Sequence, residues 1–195
     1  MQKVYYKEYQ LLQHLLDIVI KALEKYNNKE YDCDNFLLTA LTESHTAYGQ
    51  AGLKQKESKI LALKSEFITA QRGINPLTFE KVAIRRGEMQ STISFKVLHD
   101  LEEIVRTDLI ETEVKIKQAE DLVNQIILAA YQGGILTAER LKKIRSNSSM
   151  KNMWKELGRD PNINMGQKRV LLIVSEYDAY IILDDTLTRL REAVV

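Results

Sequence analysis

Helix breakers are scarce in this sequence. Two prolines and eight glycines in 195 residues leave long uninterrupted stretches, which disfavours the many short strands and tight turns of an all-β fold. Cysteine is scarcer still. Cys33 is the only one, so no disulfide can form within the chain and no Cys-rich zinc site can be built from it. It stands between Asp32 and Asp34, whose carboxylates oppose a thiolate and make it a poor nucleophile. An excess of one charge is missing too. The 28 Lys and Arg nearly cancel the 27 Asp and Glu, leaving a formal net charge of +1, so no global imbalance points to nucleic acid or a membrane surface. Long hydrophobic runs are also lacking. The longest, Val170–Val174 and Ala179–Leu183, fall far short of the ~20 residues that span a bilayer. The first apolar segment is interrupted by Gln13, His14, Asp17 and Lys21, so it does not read as a signal peptide. A cytoplasmic setting is expected.

What is present is helical periodicity. Tyr5, Tyr9, Leu12, Leu16, Val19, Leu23 and Tyr26 recur in steps of four and three, and Leu11, Leu15, Ile18 and Ala22 widen that face. One helix over about 4–26 follows, with Asn27-Asn28 as its stop. Asp34 is expected to cap a second helix carrying Phe36, Leu37, Ala40 and Leu41. Gly49 and Gly52 weaken the pattern before Leu53, Ile60, Leu63, Phe67 and Ala70 resume it, and Gly73 closes it in the left-handed conformation. Asn75-Pro76 reads as a cap and first helical position, with Ile74 stapled on Phe79. Two readings stand at Gly87: Ser91–Ser94 argue for a bend, and the steps from Val82 through Met89 to Val97 argue for continuity.

The strongest helix is expected over about 95–132. Val105, Leu109, Thr112, Ile116, Ala119, Val123, Ile126 and Ala130 form a coiled-coil-like seam, and Gly133-Gly134 ends it. Two short helices come next. Thr137 caps the first, with Leu136 stapled on Leu141, and the second carries Met150, Met153, Trp154 and Leu157 up to Gly158. Asn164 and Gln167 resemble a capping box for a last helix running from about Met165 nearly to the end. The expected fold is all-α: an elongated bundle of about four main helices with two short helices at one end. A single domain covers 1–195, with 137–158 a short basic helical hairpin inside it. No β-structure is expected.

Catalytic signatures fail one by one. G-x-S-x-G, Walker-type, G-x-G-x-x-G and H-E-x-x-H patterns are all missing. A di-iron bundle needs Glu three residues before His, yet Leu11, Thr42 and Lys96 precede His14, His45 and His99. His14 with Asp17, and His99 with Glu102 or Glu103, have metal-compatible spacing but lie on polar helix faces. In Asp160–Gly166 the glycine falls one position late for a calcium loop, and Leu171 stands where Glu belongs. No catalytic residue, metal or cofactor is assigned. Asp184 extends the apolar row Val170, Val174, Tyr177 and Ile181. It reads as an acid paired with an Arg or Lys of a neighbouring helix or simply exposed, with a functional acid as the alternative.

Charge is segregated along the chain. Between Glu139 and Arg169 nine cations (Arg140, Lys142, Lys143, Arg145, Lys151, Lys155, Arg159, Lys168 and Arg169) face three acids, Glu139, Glu156 and Asp160. Between Asp100 and Gln125 the balance reverses, with eight acids against three cations. The basic stretch suits nucleic acid, phosphate or an acidic partner, including the acidic face of the long helix in another copy. The two short helices only loosely resemble a helix-turn-helix, because their turn lacks glycine. Three functions compete. The first is a non-enzymatic interaction or assembly subunit, with a protein partner or homo-oligomer. The second is a nucleic-acid or phosphate binder acting through 140–169. The third is an enzyme without a familiar motif.

Overall fold

A computed structural model describes residues 3–82 and 84–193. Among the described residues there are eight helices: α1 (Tyr5–Asn27), α2 (Cys33–Gln50), α3 (Lys54–Gln71), α4 (Arg86–Gln132), α5 (Ala138–Lys143), α6 (Asn147–Leu157), α7 (Pro161–Ile173) and α8 (Glu176–Ala193). The fold is an all-α helical bundle in which the long α4 packs against several other helices. One isolated antiparallel bridge, Ile74 with Lys81, is the β-structure found among the described residues. Backbone contacts gather the chain into two compact units, Gln10–Ile110 and Met1–Tyr9 with Glu111–Val195, called the first and second units below.

The helix ends follow glycine chemistry. Gly52, Gly73 and Gly134 have φ of 72°, 77° and 71°. Each follows a helix whose last turn is closed by a five-residue-back bond: Leu53 N–H to Tyr48, Ile74 N–H to Thr69, and Ile135 N–H to Ala130. Lys29, at φ 55°, makes the same turn after α1, where Glu30 N–H reaches the Lys25 carbonyl. In all four, carbonyls left unpaired at a helix end find donors.

The first unit packs Leu12, Leu15, Val19 and Ala22 of α1 into one cluster with Leu37 and Leu41 of α2, Ile60 and Phe67 of α3, and Val97, Leu101 and Val105 of α4. The second unit's cluster joins Val123 and Ile127 of α4 to Leu141, Met150, Trp154, Val170, Ile182 and Leu187. Of the expected α4 seam, Val105, Thr112, Ile116, Ala119, Val123, Ile126 and Ala130 are buried and Leu109 is half-buried. Gly166 of α7 is a close approach. A Cβ there would stand 2.8 Å from Ile126 Cγ1 on α4, so only glycine lets the two elements meet.

Several expectations need correction. Asp32, not Asp34, occupies the cap position of α2, and it makes no side-chain cap bond. No helix starts at Pro76. Asn75 Oδ1 does accept the Leu77 N–H at 2.9 Å, as a cap would, but the chain then reverses. An N-cap and an Asx-turn begin with the same bond, so sequence alone does not separate them. Neither reading at Gly87 holds: α4 starts at Arg86, so Val82 lies outside it and no earlier helix runs through Gly87, yet it is unbroken across Ser91–Ser94, where a bend was expected; at ~1.5 Å per residue it is about 70 Å long. The expected last helix is two helices. Val174 is extended (φ −126°, ψ 163°). Ser175 then restarts the chain, accepting the Asp178 N–H at 3.2 Å and donating its hydroxyl to Asp178 Oδ2 at 2.7 Å. This Ser-x-x-Asp capping box overrides the apolar run around it. Nor do Asn164 and Gln167 cap their own helix. Asp160 caps α7 through the Asn162 and Ile163 amides, with Pro161 at its first turn. Asn164 Nδ2 instead donates to the Gly158 carbonyl (3.0 Å) and Gln167 Nε2 to the Trp154 carbonyl (2.7 Å), closing the end of α6.

Candidate functional site

The expected basic site lies wholly within the second unit. Lys142, Lys143, Arg145, Lys151, Lys155, Arg159, Lys168 and Arg169 are exposed, and Arg140 is half-buried. The local fold explains this. α6 turns Met150, Met153, Trp154 and Leu157 into the core at helical spacing, which leaves Lys151 and Lys155, one turn apart, on the opposite side. Thr137 caps α5 by accepting the Arg140 N–H, and Ser146 and Ser149 form a reciprocal capping box for α6. Arg140 is committed internally, to the Ile135 carbonyl and the Glu156 carboxylate. Lys151 sits over the Tyr180 ring at 4.9 Å. Among the described residues the remaining seven cations make no ion pair, so their charge faces solvent.

Asp184 is not a core acid. Its side chain is 56% exposed and lies 4.0 Å from Arg191. The break at Val174 resets the helical phase, so Val170 and Val174 are buried while Tyr177 is 52% exposed. Among the described residues the buried carboxylates are two that sequence reasoning passed over. Asp178, at 0% exposure, accepts the Tyr5 and Tyr6 amides (2.9 and 3.1 Å) at the start of α1, besides the Ser175 hydroxyl. One side chain thus caps α1 and closes the capping box of α8. Asp108, 5% exposed, accepts the Tyr48 hydroxyl at 2.7 Å and pairs with Lys56. Both arrangements serve structure.

The histidines do not converge. His14, His45 and His99 each lie 3.6–3.8 Å from one carboxylate, of Glu43, Glu57 and Glu102 respectively. No group of three or more His, Cys, Asp or Glu among the described residues is placed to hold a metal ion. Burial, and then the Asp34 carboxylate, push the Cys33 thiol above its ordinary range, against thiolate chemistry.

The turn between α3 and α4 is a surface feature that sequence reasoning missed. Asn75 N–H donates to the Glu80 carbonyl (2.9 Å), Phe79 N–H to Asn75 (2.8 Å) and Val82 N–H to Gly73 (2.9 Å). Arg86 lies against Gly73 and donates to the Gln71 carbonyl at 2.6 Å, anchoring the turn to the end of α3. These bonds hold the backbone while the large side chains point away. Leu77, Phe79 and Ile84 are 77%, 78% and 81% exposed. Phe79 also sits at φ 58°, a conformation that bulky residues rarely adopt. Ile74, expected to staple to Phe79, is half-buried while Phe79 stays exposed. The one sequence signal was a Leu-x-Phe pair beside Asn-Pro, which the helix reading absorbed.

The second unit also contains an apolar cavity of about 590 Å³ between α4, α5 and α8. No helix among the described residues is long and apolar enough to cross a membrane. Fold and surface together define an all-helical protein with a hydrogen-bonded apolar turn, an exposed cationic segment and an apolar cavity. Comparison with protein-family models, curated proteins and solved structures finds no match to this chain.

Proposed function

We propose that this protein is a non-enzymatic interaction subunit, acting in the cytoplasm, that docks another protein through the turn between α3 and α4. The observation that carries this reading is the hydrogen-bonded turn that keeps Leu77 and Phe79 in water, with Ile84 exposed just beyond it. Each such side chain gains about 1.5–3 kcal/mol when buried, and a loop free to collapse would take that gain within its own fold. A rigid aromatic and aliphatic tip has little entropy left to lose on binding, which suits an interface anchor. The left-handed Phe79 supports the same reading, because strain of about 1–2 kcal/mol is retained at a solvent-facing residue.

Phe79→Gly separates docking from folding. Glycine accepts the left-handed backbone, so relief of strain offsets the greater freedom of glycine when unfolded, and thermal stability should stay equal or rise slightly. Light scattering on purified protein, and affinity capture from the native source with identification of the captured chains, read the association. The wild type should self-associate or retain a defined partner that Phe79→Gly and Leu77→Ser lose. A wild type that stays monomeric and captures the same chains as both variants contradicts the proposal.

The exposed cations favour a second reading, nucleic-acid or phosphate binding through 140–169. Seven of the nine have neither an ion pair nor a ring partner among the described residues. Such binding should weaken steeply with salt and vanish when Lys142, Lys143 and Lys151 are changed to Glu. No mobility shift of DNA or RNA at low salt would remove it.

A further inference from the structure

The cavity of the second unit has a composition that selects one ligand chemistry. Its walls are apolar: Leu128 and Tyr131 from α4, Leu141 from α5 and Leu190 from α8. Leu141 is buried at the floor, while Leu128 and Tyr131 are 55% and 45% exposed and so stand at the mouth. At about 590 Å³ the space is in the range of pockets that enclose one small molecule, and larger than the gaps left by ordinary packing.

Its polar groups are few and present hydrogen to a ligand. Thr186 donates its hydroxyl to Asn124 Oδ1 at 3.0 Å, which occupies the amide oxygen and leaves the NH₂ group of this lining residue to donate. Arg189, on the same lining, makes no ion pair with any described residue. No Asp or Glu lines the space. Apolar walls with a guanidinium that has no ion pair among the described residues, and an amide donor, are complementary to an apolar chain that ends in an anion. A planar carboxylate matches the guanidinium fork.

We propose that this cavity binds an apolar monocarboxylate, a fatty or aryl-alkyl acid, with its chain against Leu128, Leu141 and Leu190 and its carboxylate on Arg189 and the Asn124 amide. The site is independent of the docking turn, which belongs to the first unit. A neutral alcohol of equal length would keep the wall contacts and lose the guanidinium. A cationic amphiphile would bring like charge against Arg189.

The test compares decanoate, decanol and decylamine by calorimetry and by nuclear magnetic resonance shifts of the leucine methyls. Decanoate should bind saturably at one site, at least tenfold more tightly than decanol, and decylamine should not bind. The shifts should centre on Leu128, Leu141 and Leu190. Arg189→Gln should reduce decanoate to the affinity of decanol, and Leu128→Trp should block both. Both residues are exposed, so both variants should fold, and circular dichroism checks this. The proposal is overturned if decanoate shows no saturable binding. It is equally overturned if all three ligands bind alike, or if Arg189→Gln leaves the preference for decanoate intact.

Discussion

Among the described residues each of the two units buries one carboxylate deeply, and they satisfy it in opposite ways. In the second unit Asp178 is held by neutral donors: two amides at the start of α1, and the hydroxyl and amide of Ser175. In the first unit Asp108 is held by a countercharge, Lys56, and by the Tyr48 hydroxyl. Helix N-termini bring unpaired N–H groups and the positive end of the helix dipole, so neutral donors there can hold a carboxylate without a cation. Mid-helix, where backbone donors are already spent on the helix itself, a side-chain cation is needed instead. The position of an acid along its helix therefore decides whether it needs an ion pair.

This contrast can be broken by substitution. The largest effect is expected for Asp178→Ala, which leaves donors at the starts of two helices without their acceptor and should cost about 3 kcal/mol in denaturant unfolding. A loss below about 1 kcal/mol would mean that water replaces the carboxylate and that it is not a structural node. Lys56→Met should cost about 2 kcal/mol, because Asp108 stays buried without its cation. Lys56 is 37% exposed, so about 1 M salt should narrow the gap between this variant and the wild type. Ser175→Ala should cost about 1 kcal/mol, as loss of a helix cap does, and salt should leave that cost unchanged. Equal salt dependence for the two variants would erase the distinction between charged and neutral support.

The smallest effect concerns Tyr6, beside the Asp178 node. Burial, followed by the carboxylates of Glu120, Asp185 and Asp178, raises its hydroxyl from 10.0 to about 12. The folded state holds this proton more tightly than the unfolded chain does. The resulting stability is complete below pH 10 and is lost as pH climbs towards 12. Tyr6→Phe should therefore flatten the alkaline fall of the unfolding midpoint over that interval. An unchanged alkaline profile would place the titration elsewhere.

Much of the fold was legible because it repeats. The α4 seam recurs over several turns, so its period is overdetermined and its buried residues follow. Gly73 and Gly134 were readable as stops because only glycine takes their backbone conformation without strain. The misses are single local choices between motifs that share a first hydrogen bond. Asn75 opens an Asx-turn where a cap was expected, and Asp160 takes the cap that Asn164 was assigned. Ser175 and Asp178 carry a capping-box spacing, but the apolar run on either side hid it. That run also made Asp184 look like the core acid. Asp108 stands three residues after Val105 and four before Thr112, so the argument applied to Asp184 belonged there. The docking turn was illegible for a further reason. Whether Phe79 folds inward or outward depends on the backbone bonds of Asn75 and Val82, which no periodicity encodes.

The docking proposal depends on that turn being held open by its own backbone, and amide hydrogen exchange measures this directly. The Asn75, Phe79 and Val82 amides, each bonded across the turn, should exchange at least about tenfold more slowly than an unstructured chain, in protein free of any partner. Exchange at the unstructured rate at all three would mean a turn that does not hold Phe79 outward, and would contradict the account.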